Sequence, residues 1–332
     1  MENSRIGATG SHGPKDFGPQ DAAYAELVWR HERTAGRSLY RQTLSYDLTP
    51  GLSCPLDGTV TRLIAPNASV MTGPGTNTYL IHSGGECAVI DPGPADPAHI
   101  HAIVAAARGQ IGWILCTHTH TDHAEGVVML QKATGAKVAA MPMAPGVSES
   151  DAGEHNVELE LERVLTEGDV LQLGGESVRV LFTPGHASNH LCFLLPHSGM
   201  LFTGDHIMQG STVVIWPPDG NMRAYIQSLQ RLLTLELNIL APGHGYLIGH
   251  PHTEAQRLIQ HRLGRETKVR NGLIQAGGHA SLETLLPLVY NDVPKSLYPV
   301  AARSLEAHLN KLIEEGEVRH QNGSYRMLSG PG

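Results

Sequence analysis

The rhythm of apolar and polar positions changes twice along the chain. Apolar positions such as Ala23, Leu27 and Trp29 predict a helix over residues 22–38. From about Val60 the pattern becomes short apolar runs of strand length, TVTRLIA, NTYLIH and CAVIDPG, each closed by Gly or Pro. DPAHIHAIVAAARG reads as a helix with Asp96 as its cap, Pro97 in its first turn and Gly109 at its end. IGWILCTH is a further strand, and AEGVVMLQKATG predicts one helix from near Ala124 to Gly135. KVAAMP, VRVLFTPGH, HLCFLLP and MLFTGDH continue the strands. The amphipathic MRAYIQSLQRLLTL then precedes the short strand NILAPGH. Helices alternating with strands, and mixed with runs of adjacent strands, predict a layered α/β body.

After His252 the pattern turns helical through three segments and ends in EVRHQNGSYRML, where Asn322-Gly323 is a strong hairpin signal. Three helices closed by a hairpin outline a small winged-helix-like unit. The expected division is a flexible lead-in over 1–20, a body over 21–252 with a helical extension to about 59, and a tail over 253–332.

The candidate chemistry sits in CTHTHTDHAEG, which places His118, His120, Asp122 and His123 within six residues at the end of an apolar strand. In an extended chain His118 and His120 share a side, so both imidazoles can face one ion. Imidazole and carboxylate are ordinary zinc donors. Further donors recur where apolar runs stop at Gly-containing turns: His186 in LFTPGH, Asp205 in LFTGDH and His244 in LAPGHG. Ends of this kind converge on one edge of a sheet-based body.

In that order, THTHTDH, TPGH, TGD and PGHG resemble the motifs of the metallo-β-lactamase superfamily, over roughly residues 60–252. The resemblance implies an αββα sandwich with metals at the sheet edges. It assigns His118, His120 and His186 to one ion, Asp122, His123 and His244 to a second, and Asp205 to a bridge. Two zinc ions are the expectation, with iron or manganese as substitutes. The implied chemistry is a dinuclear hydrolase in which a metal-held hydroxide attacks an acyl or phosphoryl centre, with Asp122 orienting or deprotonating the water. GPGTNTYLI, IDPGP, STVVIWPPDGNMRAYIQSLQRL and the helical tail are similar to the β-lactamase-like protein 2 subfamily, which carries a C-terminal winged-helix-like domain. That group includes an endoribonuclease on single-stranded RNA and fungal thioesterases. Glu125 and Asn189 depart from the common superfamily pattern without touching an implied ligand.

Three further expectations concern substrate. His190 is either an oxyanion donor or a buried histidine heading the strand HLCFLL. Thr76 and Asn77 border the site, or simply cap a turn. Trp216 forms an apolar wall of the cleft. His206 is expected to support the ligand beside it.

Composition narrows the partners. The net charge of −8 disfavours nucleic-acid binding by bulk electrostatics, although the stretch after residue 252 is near neutral, with 10 Lys and Arg against 8 Asp and Glu. Arg262, Arg265, Lys268 and Arg270 are the scattered cations on which an RNA groove would have to draw. A DNA-binding regulator is disfavoured, because AARSLEAHLNKLIEEGE carries more acids than bases. The expectation is therefore hydrolysis of a small acyl substrate (thioester, lactone or ester), with single-stranded RNA as the alternative. No run of residues suits a membrane helix, and the N-terminus lacks a secretory pattern. The four cysteines lack C-x-x-C spacing and suggest reduced thiols in a cytoplasmic protein. The tail is a candidate dimerisation element.

Overall fold

The computed structural model describes residues 48–143 and 158–328. The lead-in and the helix expected over 22–38 lie outside them. Two sheets face each other. The first has the order β1 (Cys54–Pro55), β2 (Val60–Ile64), β3 (Asn77–Ser83), β4 (Glu86–Ile90), β5 (Gln110–Leu115), β6 (Lys137–Ala140), β7 (Arg163–Val164). It is antiparallel through β4 and parallel beyond. The second runs β12 (Ile239–Pro242), β11 (Met200–Gly204), β10 (Leu191–Leu195), β9 (Glu176–Phe182), β8 (Val170–Leu173).

Strand alternation explains the layering. Tyr79, Ile81, Ala88 and Ile90 from one sheet meet Leu191, Phe193, Leu195 and Phe202 from the other in a shared apolar centre. The intervening Leu80, Cys87 and Val89 point outward against helices α1 (Pro97–Ala106) and α3 (Val127–Thr134). Cys192, Leu194 and Leu201 point the other way, against α4 (Met222–Leu232) and the start of α5 (Pro251–Gln275). Strands buried on both faces read as continuous apolar runs, as LCFLL does. The result is the expected αββα sandwich.

The helix expected from Ala124 to Gly135 is broken. A single turn, α2 (Thr121–Ala124), precedes α3, with Glu125 and Gly126 between them. Gly126 donates to Gly93 O, and a Cβ there would meet the Gly93 and Pro94 carbonyls at 3.0 Å. The break lets His123 turn toward the sheet end. The two-residue β7 and four-residue β8 lie outside the sequence expectation, being too short to show a period.

The C-terminal unit comprises α6 (Leu282–Val289), α7 (Tyr298–Glu314) and a small sheet in the order β13 (His279–Ala280), β15 (Ser324–Met327), β14 (Val318–Gln321). Asn322 and Gly323 both take positive φ at the hairpin turn. Helix α5 belongs to two cores: Ala255, Leu258 and Ile259 pack on the body, Val269 and Leu273 on the C-terminal unit. The division expected at residue 253 thus falls near the start of a shared helix. Glu266, 2% exposed, joins Lys311 of α7 at 2.8 Å and Arg270 at 2.9 Å.

Removing one partner of a buried ion pair leaves an uncompensated charge. Glu266→Ala is therefore expected to destabilise the protein by about 3 kcal/mol in urea unfolding, whereas Val128→Ala, on an exposed helix face, changes stability by less than about 0.5 kcal/mol.

Candidate metal centre

The donors meet where β5, β9, β11 and β12 stop. His118 Nε2 lies 3.0 Å from His120 Nδ1, and His186 Nε2 lies 3.1 Å from the same atom. His123 Nε2 stands 3.5 Å from Asp122 Oδ2 and 3.3 Å from Asp205 Oδ1. His244 Nε2 is 3.3 Å from Asp122 Oδ2 and 3.4 Å from Asp205 Oδ1. Asp205 Oδ2 reaches back to His186 Nε2 at 3.7 Å. Three groupings bring their donor atoms close enough to share an ion: His118, His120 and His186; His118, His123 and Asp205; and Asp122, His123 and His244. All seven residues named from sequence are thus brought together.

Backbone close approach makes this possible. A Cβ on Gly243 would meet His123 Cε1 at 2.6 Å and Asp205 Oδ1 at 2.7 Å. Gly204, at φ 45°, leaves room for the Thr117 hydroxyl.

Four of the five donor rings are held from behind, which fixes which nitrogen is offered. His186 Nδ1 bonds Val214 O at 2.7 Å, and His244 Nδ1 bonds Gly75 O at 3.3 Å. His118 Nδ1 bonds Thr117 Oγ1 at 3.0 Å, and His123 Nδ1 bonds Asp91 Oδ2 at 2.9 Å. Asp91 also accepts from the Thr117 backbone at 2.8 Å and from its hydroxyl at 2.7 Å. Sequence reasoning passed over Asp91. Its signal was the acid of IDPG at the end of the strand beside the histidine loop, and its φ of 50° marks it as a constrained position.

A metal fits these residues on their own chemistry. Two buried site atoms, His123 Nε2 and Asp205 Oδ1, close no hydrogen bond among the described residues although they lie 3.3 Å apart. Buried polar atoms rarely go unpartnered. A cation accepting lone pairs from both resolves this.

The electrostatics divide the donors. Burial, with the neighbouring His123 and His120, holds His118 well below the usual histidine range, and burial takes His120 to about 3. Burial also opposes charge on His244 and His123, but carboxylates outweigh it. Asp205 and Asp122 raise His244 to about 9, and Asp122, Asp205 and Asp91 raise His123. Asp122 is likewise resisted by burial yet held below the carboxylate range by His123 and His244.

For His190, Thr76 and Asn77 the structure favours the second of the two readings, a buried or turn-holding residue, over a substrate role. His190 is fully buried; its Nδ1 bonds Thr183 Oγ1 at 3.0 Å, and its Nε2 accepts from Asp205 N at 3.2 Å. With both nitrogens committed behind the centre, it orients Asp205 and offers no oxyanion donor. Asn77 is fully buried and donates to Pro242 O and Gly245 O at 2.8 and 2.9 Å. It clamps the loop carrying His244. Thr76 is buried too, bridged to His244 along the backbone and bonded through its hydroxyl to Asn67. Neither faces a substrate. Trp216 is 42% exposed, with the Arg303 guanidinium 4.6 Å from its ring centre. His206 is buried beside Tyr225, which donates to its carbonyl.

The cations proposed for an RNA groove are committed elsewhere. Arg262 is buried and bonds Val213 O. Arg265 and Lys268 both bind Asp292, and Arg270 binds Glu317 and Glu266. Among the described residues, no helix is long and apolar enough to cross a membrane.

The chain matches the metallo-beta-lactamase superfamily over residues 71–244 and the beta-lactamase associated winged helix domain over 281–326. It is 31% identical over 273 residues to a Drosophila melanogaster protein named "Beta-lactamase-like protein 2 homolog", covering 80% of this chain and 91% of that one. It is 29% identical over 248 residues to an Aspergillus fumigatus "Atrochrysone carboxyl ACP thioesterase", covering 71% and 74%. A "Beta-lactamase domain protein" from Burkholderia ambifaria shares the fold, with a TM-score of 0.69, 21% identity, and 87% and 96% of the two chains covered.

Two outcomes are expected of the metal-free protein. Asp91→Ala, which strips the partners from Thr117 and His123, costs about 3 kcal/mol in urea unfolding. Stability peaks near pH 6.5. The raised His244 contributes fully below 6.5, and that contribution is lost as pH rises through about 9. The depressed His118 and His120 act oppositely, withdrawing stability as pH falls below 6.5. Thermal unfolding at a series of pH values checks the peak.

Proposed function

Since this chain belongs to the metallo-beta-lactamase superfamily, we propose that it is a dinuclear zinc hydrolase cleaving a small acyl substrate, a thioester first among the candidates. One observation carries the dinuclear reading: six donors form two separate trios, Asp205 groups with His118 of one and His123 of the other, and His123 Nε2 and Asp205 Oδ1 are left unpartnered. His118, His120 and His186 would hold one ion, and Asp122, His123 and His244 the other, with Asp205 shared. Bound there, the pair would supply Lewis acidity and hydroxide near neutral pH.

The protein's own residues do the remaining work. Asp122, its side chain 28% exposed, is the most open of the acidic donors and stays ionised. It is placed to orient a water and to take the proton that water loses. Attack at the acyl carbon then breaks the carbon–sulfur bond, giving a carboxylic acid and a thiol. His190 holds the Asp205 backbone, Asp91 holds His123, and Asn77 holds the His244 turn, so the site is set before substrate arrives. Trp216 would offer the substrate an apolar face beside the His186 loop.

The thioester reading is supported by the name of the Aspergillus fumigatus relative. The RNA reading needs a cationic track, and the four cations expected to build one are tied to acids or backbone carbonyls.

Purified protein is expected to carry about two zinc ions per chain and to turn over members of a thioester panel. Asp122→Ala should lower kcat at least about 100-fold, with a fluorogenic single-stranded RNA left intact by both forms. RNA cleavage that disappears in Asp122→Ala, without thioester turnover, replaces the acyl reading with the nuclease one.

A further inference from the structure

One loop, residues 213–221, lies between the metal centre and the C-terminal helices and is bonded to both. On the metal side, Val214 O bonds His186 Nδ1 at 2.7 Å. Asp219 Oδ1 accepts from Ser188 N at 3.1 Å, and Asn221 N donates to Gly185 O at 2.8 Å. On the other side, Arg262 of α5 donates from Nη2 to Val213 O at 2.5 Å. Arg303 of α7 lies over Trp216, and Glu314 at the end of α7 accepts from Asn221 Nδ2 at 2.9 Å.

Arg262 is the strongest of these holds. It is 3% exposed, and its guanidinium sits 5.3 Å from the ring centre of Tyr225. Tyr225 in turn backs the His186 turn, where a Cβ on Gly185 would meet Tyr225 Cα at 2.4 Å. Val213 O and Val214 O belong to consecutive planar peptides separated by one pair of soft dihedrals. Fixing the first carbonyl with a buried, charge-assisted bond therefore restricts the second.

We propose that Arg262 is a positioning residue for the metal centre: it sets the Val214 carbonyl that orients His186, and so makes the C-terminal unit part of the site. The proposal rests on the reading that His186 ligates an ion together with His118 and His120. It gives α5 a task beyond the pairing of Arg265, Lys268 and Arg270 with acids. It also predicts a selective effect. His186 belongs to one donor group only, so loosening it should weaken one ion and spare the other.

The test is zinc affinity of the metal-free protein by competition with a chromophoric chelator, for wild type, Arg262→Met, Arg262→Lys and His186→Ala. Arg262→Met is expected to bind the ion that His186→Ala abolishes about 10- to 100-fold more weakly, with the other ion unchanged. Arg262→Lys, which keeps a charged donor, should recover most of the loss. A folded Arg262→Met with wild-type affinity for both ions, or with equal losses at both, overturns the proposal. If Arg262→Met fails to fold, Arg262→Gln decides, because it keeps a neutral donor on a shorter stem. The same ion should then weaken about twofold or more, the loss of charge assistance in one hydrogen bond, and unchanged affinity overturns the proposal. A wild type that binds one ion defeats the dinuclear reading alone, since Arg262→Met must still weaken whichever ion His186→Ala removes.

Discussion

The Asp91 carboxylate is the tie on which the centre depends. It ends the strand beside β5, takes a left-handed backbone conformation, and accepts from Thr117 twice and from His123 once. Those bonds fix the point where the histidine loop leaves the sheet and the direction in which His123 points. Thr117 then passes the constraint to His118 through its hydroxyl. Without an acceptor at this position, two of the three rings of the HTHTDH loop, His118 and His123, would lose their register. The carboxylate is itself buried, so leaving its partners unpaired is costly. The loop is thus held by the same energetics that hold a core.

The second sheet contributes through close backbone approach and buried polar clamps. Gly204 and Gly243 let β11 and β12 come within contact of Thr117, His123 and Asp205. His190 and Asn77 use their polar atoms to fix the turns that carry Asp205 and His244. The αββα packing brings these strand ends to one edge, and the clamps turn a crowded edge into a defined set of donors. Two atoms without hydrogen-bond partners, His123 Nε2 and Asp205 Oδ1, are where that set looks outward to a cation.

Much of this was legible in the sequence, and for physical reasons. Each candidate donor follows an apolar run that can only be a buried strand, and the runs before His186, Asp205 and His244 stop at Gly-containing turns, so His118, His120, Asp122, His123, His186, Asp205 and His244 announce themselves together. The hairpin at Asn322-Gly323 was equally plain, because the tight turn needs positive φ twice. What stayed open was the role of polar residues at strand ends. His190, Thr76 and Asn77 sit in the same kind of position as the candidate donors, and only the partner 7 to 168 residues away decides whether a side chain faces the cleft or the backbone behind it. Asp91 was hidden by the same ambiguity. The cations on α5 were read as the scattered charges on which an RNA groove would draw, because their partners Val213, Asp292 and Glu317 are distant in sequence. The broken helix at Gly126 was invisible because the reason for the break, contact with Gly93 and Pro94, is tertiary.

The central claim is that seven side chains from four strand ends bind two ions that share Asp205. The most direct measurement is an anomalous-scattering map from crystals of the zinc-loaded protein, collected on both sides of the zinc edge. Two peaks are predicted, one among His118, His120 and His186 and the other among Asp122, His123 and His244, with Asp205 between them. A single peak, or peaks away from these residues, would contradict the account.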